Sequence, residues 1–407
     1  MHKGKKNFLI VIDQISLSTG GFWSVIDIAE SLKDKYEIVF CVVGLNYLKS
    51  FKSLIQIVKK RIPLSHVLIY PLVRRRPKPS LLKNTLHFIF FHIYKVFINI
   101  YFYKKISKAT IFIKDAAILF QSSFLSIQDA EILYSNLSAS CIKIQNHAGS
   151  MGTLKDFSNR INDDANIKKD AYLTYLSMQN KVLLQSRLQK LEIDKAYPSL
   201  KQKTLSILPS VNEEELNIYK NKKSPYDKDG CFNIVYVATI QNRKRQDLCI
   251  DIISKILDQK AKVKLFLVGQ YNDDLYYKSL CKKINEMNIQ NNVFFTGYTK
   301  EFASYMWNCD LIIHPSRAEG VSRVLRESLY MGKAIIASDL EGNRDLFHKY
   351  NSAILIKSPN AELYADAALS IINNEDLRLS YEKRARISYD KQLSFKTYQQ
   401  NVINVFS

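Results

Sequence analysis

Short apolar runs recur along the chain, separated by longer stretches whose apolar positions fall at helical spacing. Apolar runs of four to eight residues bounded by turn residues read as buried strands, and the stretches between them as amphipathic helices. The first half predicts strands at 8–12, 37–43, 117–120, 141–145, 181–184 and 205–208, with a helix running from Gly20-Gly21 to about Lys33. The second half restarts the pattern, with strands at 231–238, 263–268, 293–295 and 311–314 and helices at 246–257, 275–286 and 302–307. Strands that are apolar throughout and alternate with helices predict parallel sheets covered on both faces. The polar stretch 212–230, which carries Glu213-Glu214-Glu215, is the expected linker. The pattern therefore predicts an α/β chain of two doubly wound, Rossmann-like domains facing each other across a cleft. Tyr389, Phe395, Tyr398, Val402 and Phe406 fall at helix-like spacing within 386–407.

The most informative stretch is 310–346. It reads as a buried strand ending in His-Pro-Ser, an acid-glycine turn at Glu319-Gly320, a helix carrying Glu327, Met-Gly, and a second buried strand. Ser322 is the expected N-cap and Gly332 the expected C′ residue, which bounds the helix at 323–331. A helix entered directly from a strand presents its unpaired amides at the carboxyl edge of the sheet, where open α/β sheets bind ligands.

Composition narrows the compartment and the partners. Six cysteines stand singly, with no C-x-x-C pair, as free thiols do in a reducing cytosol. The apolar run 8–12 is too short for a signal peptide and leads straight into Asp13. The formal net charge of +21 is unevenly spread: from Ile38 through Lys114 there are 15 Lys and Arg and no Asp or Glu. Within that tract, 86–103 reads LHFIFFHIYKVFINIYFY behind Arg74-Arg75-Arg76. Lys95 at its middle argues against a membrane-spanning helix, whereas basic flanks and aromatic excess suit a helix lying on an anionic bilayer. A fully buried helix is the alternative. Nucleic acid is disfavoured as a partner, because the aromatics cluster with one another and not among the cations.

The order of buried strand, Pro-Ser, Glu-Gly, a second Glu after seven intervening residues, Met-Gly, strand, Asp and Gly-Asn resembles the E-x7-E block of the retaining glycosyltransferases of family 4. The resemblance implies a GT-B fold whose C-terminal helix returns to the first domain. It implies an N-terminal acceptor domain over 1–208 with a membrane-docking segment at 59–108, a C-terminal nucleotide-sugar domain over 209–385, and the crossing helix 386–407. It also implies the site. Glu319 contacts the transferred sugar, held with the amides of Gly320, Val321 and Ser322, and Glu327 binds the ribose. Lys244, with Arg243 or Arg245 beside it, takes the donor diphosphate, which faces Gly20 and Gly21 from the other domain. His147 points at the donor sugar, and Gly297 and Tyr298 meet the base. The chain departs from the family pattern at Thr239, where an arginine is usual, and at Arg245, where a glycine is usual.

No metal or other cofactor is expected: the one Asp-x-Asp, Asp227 and Asp229, falls in the polar stretch, where its acids read as solvated, and GT-B enzymes neutralise the diphosphate with protein cations. The expected function is transfer, with retention, of a sugar from a UDP- or GDP-sugar to a hydroxyl of a lipid-linked glycan. The pathway would be surface polysaccharide synthesis (capsule, O-antigen or lipopolysaccharide) on the cytoplasmic face of the inner membrane. Two alternatives stay open: a relic that binds nucleotide sugar without turnover, and a basic nucleic-acid-binding α/β protein.

Overall fold

The structure of the protein is a computed structural model that describes residues 6–12, 20–43, 48–63, 65–70, 117–120, 142–147 and 176–406 except 228 and 272. The chain forms two units, one of residues 1–184, 190–207 and 399–407, the other of 185–189 and 208–398.

The first unit contains β1 (Lys6–Ile12), α1 (Gly20–Leu32), β2 (Tyr36–Val43), α2 (Leu48–Arg61), β3 (His66–Tyr70), β4 (Ala117–Phe120), β5 (Ile142–His147), β6 (Lys181–Leu184), most of α3 (Arg187–Ala196) and β7 (Thr204–Ser206). Its seven strands are parallel in the order β3-β2-β1-β4-β5-β6-β7. Val25, Ile26, Ile28, Ala29 and Leu32 of α1 are fully buried at the i, i+1, i+3, i+4, i+7 spacing of one helix face. Arg61 at the end of α2 ties that helix to α1 through Asp27, at 2.7 Å, and Glu30. The last residues of the chain also belong to this unit. The Phe406 ring meets Phe8 edge-on at 5.3 Å, and its carbonyl accepts from the Tyr36 hydroxyl at 2.8 Å.

The second unit contains α4 (Glu213–Asn217), β8 (Phe232–Val237), α5 (Gln246–Asp258), β9 (Val263–Val268), α6 (Asp274–Glu286), β10 (Val293–Gly297), α7 (Phe302–Asn308), β11 (Leu311–His314), α8 (Arg323–Tyr330), β12 (Ala334–Ser338), α9 (Glu341–Phe347), β13 (Ile354–Ile356), α10 (Ala361–Ile372), α11 (Glu375–Gln392) and the start of α12 (Phe395–Phe406). Its parallel sheet runs β10-β9-β8-β11-β12-β13, the doubly wound order whose reversal lies between β8 and β11. Alternation along the strands divides the core in two. Ile234, Tyr236, Leu311 and Ile313 face α5, α6 and α10, whereas Val235, Ile312 and Ile335 face α7, α8, α9 and α11.

Several elements went unpredicted. The acid-free tract supplies α2 and β3; the expected helix at 86–103 lies outside the described residues. Residues 212–230 are not a loose linker. Val211, Leu216 and Tyr226 are buried in the second unit, the Trp307 indole donates to the Leu216 carbonyl at 2.8 Å, and the Tyr226 hydroxyl donates to that of Tyr305 at 2.6 Å. The helix expected over 386–407 is two helices, because the chain breaks at Leu393-Ser394, where the Ser394 hydroxyl accepts from the Thr397 amide at 3.4 Å and restarts the turn as α12.

Candidate active site

Because the strand order reverses between β8 and β11, the helices that follow these two neighbours lie on opposite faces of the sheet, and a crevice opens beyond their carboxyl ends. The loop after β8 carries Arg243 and Lys244 in a 3-10 turn, Asn242–Lys244, and the loop after β11 carries Glu319. The loops are stitched together by the Arg317 amide, which donates to the Arg243 carbonyl at 3.0 Å. The Lys244 ammonium donates directly to Glu319 Oε1, the Ser316 hydroxyl donates to the same oxygen at 2.7 Å, and Arg243 Nη1 lies 3.6 Å from it. Both partners of the inner pair are mostly covered, Lys244 at 14% exposure and Glu319 at 11%. Burial pushes the Glu319 carboxyl up, but the Lys244 charge and the bonds from Lys244 and the Ser316 hydroxyl outweigh it and hold the group below the ordinary glutamate range. The crevice floor thus holds an ionised carboxylate clasped by two cations, an arrangement that an incoming diphosphate could exchange into by taking up the cations.

A buried layer sets both loops. The Tyr236 hydroxyl on β8 donates to the Lys244 carbonyl at 2.8 Å, and its ring meets that of His314 edge-on at 5.3 Å. His314 ends β11 and shares a 3.2 Å hydrogen bond with the Ser322 hydroxyl, which also accepts from the Leu325 amide to cap α8. Burial, with Lys244 and Arg243 nearby, pushes the His314 imidazole down to about 4 despite the Glu319 charge, so it is neutral at pH 7. Beneath the Glu319 loop, a Cβ on Gly342 would lie 1.7 Å from the Gly320 carbonyl oxygen, so the start of α9 can pack there only as glycine.

Glu327, the second glutamate of the block, lies one helical turn after Arg323 and takes its Nε–H at 2.6 Å, while Arg323 Nη2 reaches Glu215 of α4 at 3.1 Å. The Glu327 side chain is 1% exposed, and burial lifts its pKa above the ordinary value although Arg323 opposes the shift.

The predicted residues divide into three groups. Lys244, Arg243 and Glu319 come together, with Gly320, Val321 and Ser322 following in the same loop; Val321 is a core side chain, so only its backbone can face a ligand. Gly297 and Tyr298 stand at the carboxyl end of β10 on the same edge of the sheet. Gly297 has φ 69°, its carbonyl accepts from the Gly269 amide at 3.1 Å, and Tyr298 projects into solvent. Gly20 and Gly21 open α1 beyond β1, and His147 is the last residue of β5; all three belong to the first unit, and the His147 side chain lies outside the described residues. Asp227 and Asp229 are solvent-exposed, at 84% and 36%, and both pair at the surface with Lys264, at 3.3 and 2.5 Å. Of the two arginines flanking Lys244, Arg243 is the one at the carboxylate, and Arg245 pairs with Asp247 at 3.1 Å. Sequence reasoning missed Ser316, Arg323, Tyr236 and His314. The serine was visible in the Pro-Ser turn and Arg323 in its i, i+4 spacing to Glu327, but Tyr236 and His314 act through contacts that spacing does not encode.

A protein-family model described as "Glycosyl transferases group 1" matches residues 218–388, which lie within the second unit. The poly(ribitol-phosphate) alpha-N-acetylglucosaminyltransferase of Staphylococcus aureus is 23% identical over 173 residues, 42% of this chain and 34% of that protein. The N-acetylgalactosamine-N,N'-diacetylbacillosaminyl-diphospho-undecaprenol 4-alpha-N-acetylgalactosaminyltransferase of Campylobacter jejuni is 25% identical over 154 residues, 38% of this chain and 40% of that protein. The chain thus spans well under half the length of these two relatives. Among solved structures, Anabaena HepE in complex with UDP superposes with a TM-score of 0.73 at 17% identity, covering 98% of this chain and 99% of that one. The fold is GT-B, with parallel sheets in two Rossmann-like domains.

Proposed function

We propose that the chain is a metal-independent glycosyltransferase that moves a sugar, with retention, from a nucleotide diphosphate sugar to a hydroxyl of a lipid-linked glycan. The observation that carries the reading is the Lys244–Glu319 pair, set by two loops at the reversal of the strand order. The donor diphosphate takes Lys244 and Arg243 from Glu319, replacing one carboxylate by stronger phosphate acceptors. Glu319, released, accepts from hydroxyls of the transferred sugar beside the anomeric carbon. The two cations stabilise the charge that builds on the departing diphosphate, so no metal is needed for that role. Glu327 serves the ribose once Arg323 turns to Glu215 alone. HepE holds UDP in its solved complex, which favours UDP over GDP as the donor's nucleotide. The lipid-linked acceptor is supported by the diphospho-undecaprenol acceptor of the Campylobacter relative and by the basic, aromatic tract at 59–108, which would dock the chain on the cytoplasmic face of an anionic membrane. Such an acceptor fits surface polysaccharide synthesis.

The test is release of UDP and of GDP from a panel of nucleotide sugars with added membrane extract, comparing wild type with Lys244→Ala and Glu327→Ala. One donor should be turned over, unchanged by EDTA, and Lys244→Ala should cost about a hundredfold, the scale of losing one charge-stabilising donor. Failure of the wild type both to turn over and to bind any nucleotide would sink the reading.

A further inference from the structure

A second cation-lined cavity lies in the same unit, built by elements other than the Lys244 and Glu319 loops. It measures about 570 Å³ and is lined by Arg187, Leu208, Arg344, Asp345, His348, Lys349 and Gln392. That volume is of small-molecule size. The single acid is already committed: Asp345 accepts from the Leu188 amide at 2.9 Å and faces Arg187 Nε at 4.0 Å. Arg344 is fixed at the rim by Asp339, with Nε to Oδ1 at 2.6 Å. His348 and Lys349 are exposed and have no ion-pair partner among the described residues.

Helix dipoles do not account for this convergence. Arg344, His348 and Lys349 sit at the C-terminal end of α9, where cations are favoured, but Arg187 is the first residue of α3, the end where a cation is disfavoured by a few tenths to about 1 kcal/mol. Its side chain is nonetheless 77% exposed and only loosely paired. Guanidinium groups from two helices, one held in place, and a lysine around one concavity suit a phosphate, which accepts bidentate arginine bonds.

We infer that this pocket is an anion site for a phosphate ester on a ligand other than the donor. The inference rests on the proposed function only in placing the donor's phosphates elsewhere, at Lys244. The test counts bound pyrophosphate by equilibrium dialysis on the full chain. Wild type should bind two, and Lys244→Ala and the double variant Arg187→Gln/Lys349→Gln one each, with affinity at the lost site weakened at least tenfold; both pocket side chains are exposed, so the double variant should fold. A double variant that titrates like wild type overturns the pocket. A Lys244→Ala protein that still binds two, beside a double variant that binds one, removes the donor reading and leaves the pocket standing. In the Lys244→Ala protein, displacement of pyrophosphate by phosphatidylglycerol vesicles alone assigns the site to a lipid headgroup. Displacement by soluble glycerol 3-phosphate assigns it to a free phosphate ester, and displacement by neither overturns the site.

Discussion

The two glutamates of the E-x7-E block look equivalent in sequence and sit in opposite electrostatic states. Glu319 is in a loop, at the edge of a crevice, with a lysine, an arginine and a serine hydroxyl around one oxygen, and its pKa is depressed. Glu327 is inside a helix, almost wholly out of water, with one arginine, and its pKa is raised. Both are desolvated, so the difference lies in the number of compensating charges and donors. The first carboxylate is stable as an anion and can be handed from cations to a ligand. The second is ionised only as far as Arg323 allows.

The hardest way to break this contrast is to remove Arg323. Arg323→Met leaves Glu327 without its partner in a buried place, and removing one member of a buried pair costs on the order of 3 kcal/mol. Urea unfolding at pH 7 should report a loss of that size. Because the folded-state pKa of Glu327 is raised, the penalty appears as pH rises through that pKa and fades at lower pH, where the group carries its proton. Adding Glu327→Gln to Arg323→Met should recover most of the loss. Equal stability of wild type and Arg323→Met at pH 7 would mean that Glu327 is already protonated and that the contrast is false.

His314 sharpens the comparison from beneath the Glu319 loop. Its pKa is pushed down to about 4, so the unfolded chain binds a proton that the folded one does not between the ordinary histidine value and 4. Stability from this group is complete above pH 6.5 and falls as pH drops toward 4, by up to roughly 3 kcal/mol over that interval. His314→Asn should lower stability at pH 7 yet flatten the acid limb of the stability profile. Parallel profiles for the two proteins would show that His314 is not the group responsible.

How much of this was legible in the sequence follows from what sequence encodes. The β8–β12 strands and the helices α5 to α8 were readable because the sheet is covered on both faces, which imposes apolar runs on the strands and helical periodicity on the helices. The Lys244 and Glu319 loops were readable from the residues that close them, namely Pro315, Gly320 and the cap Ser322. β13, three residues long and only half-buried, leaves too little pattern to see, and α2 and β3 lie in a tract whose greasy, basic composition hides alternation. That Arg323 would turn to Glu327 was readable from their i, i+4 spacing, but its second bond to Glu215, 108 residues away, was not. Nor does spacing choose between Arg243 and Arg245 as the cation beside the carboxylate, since both flank Lys244; the backbone chooses.

Arg245 gives the smallest expected effect and the finest test of that choice. It holds φ 58° and ψ 44°, the left-handed conformation that costs a residue with a Cβ about 1–2 kcal/mol, at the position where the family pattern has glycine. Arg245→Gly relieves that strain but loses the Asp247 pair and adds unfolded-state entropy, worth about 0.4–1 kcal/mol against it. The balance should be a stability change within about 1 kcal/mol, with the sign toward stabilisation at high salt, where the ion pair is screened. Donor binding should stay within about twofold, whereas Arg243→Ala, which removes a charge-assisted bond to phosphate, should weaken it about tenfold, as expected for roughly 1.5 kcal/mol. A tenfold loss in Arg245→Gly with none in Arg243→Ala would mean that the cation now paired with Asp247 is the one that swings to the diphosphate, and that Arg243 serves only to stitch the two loops.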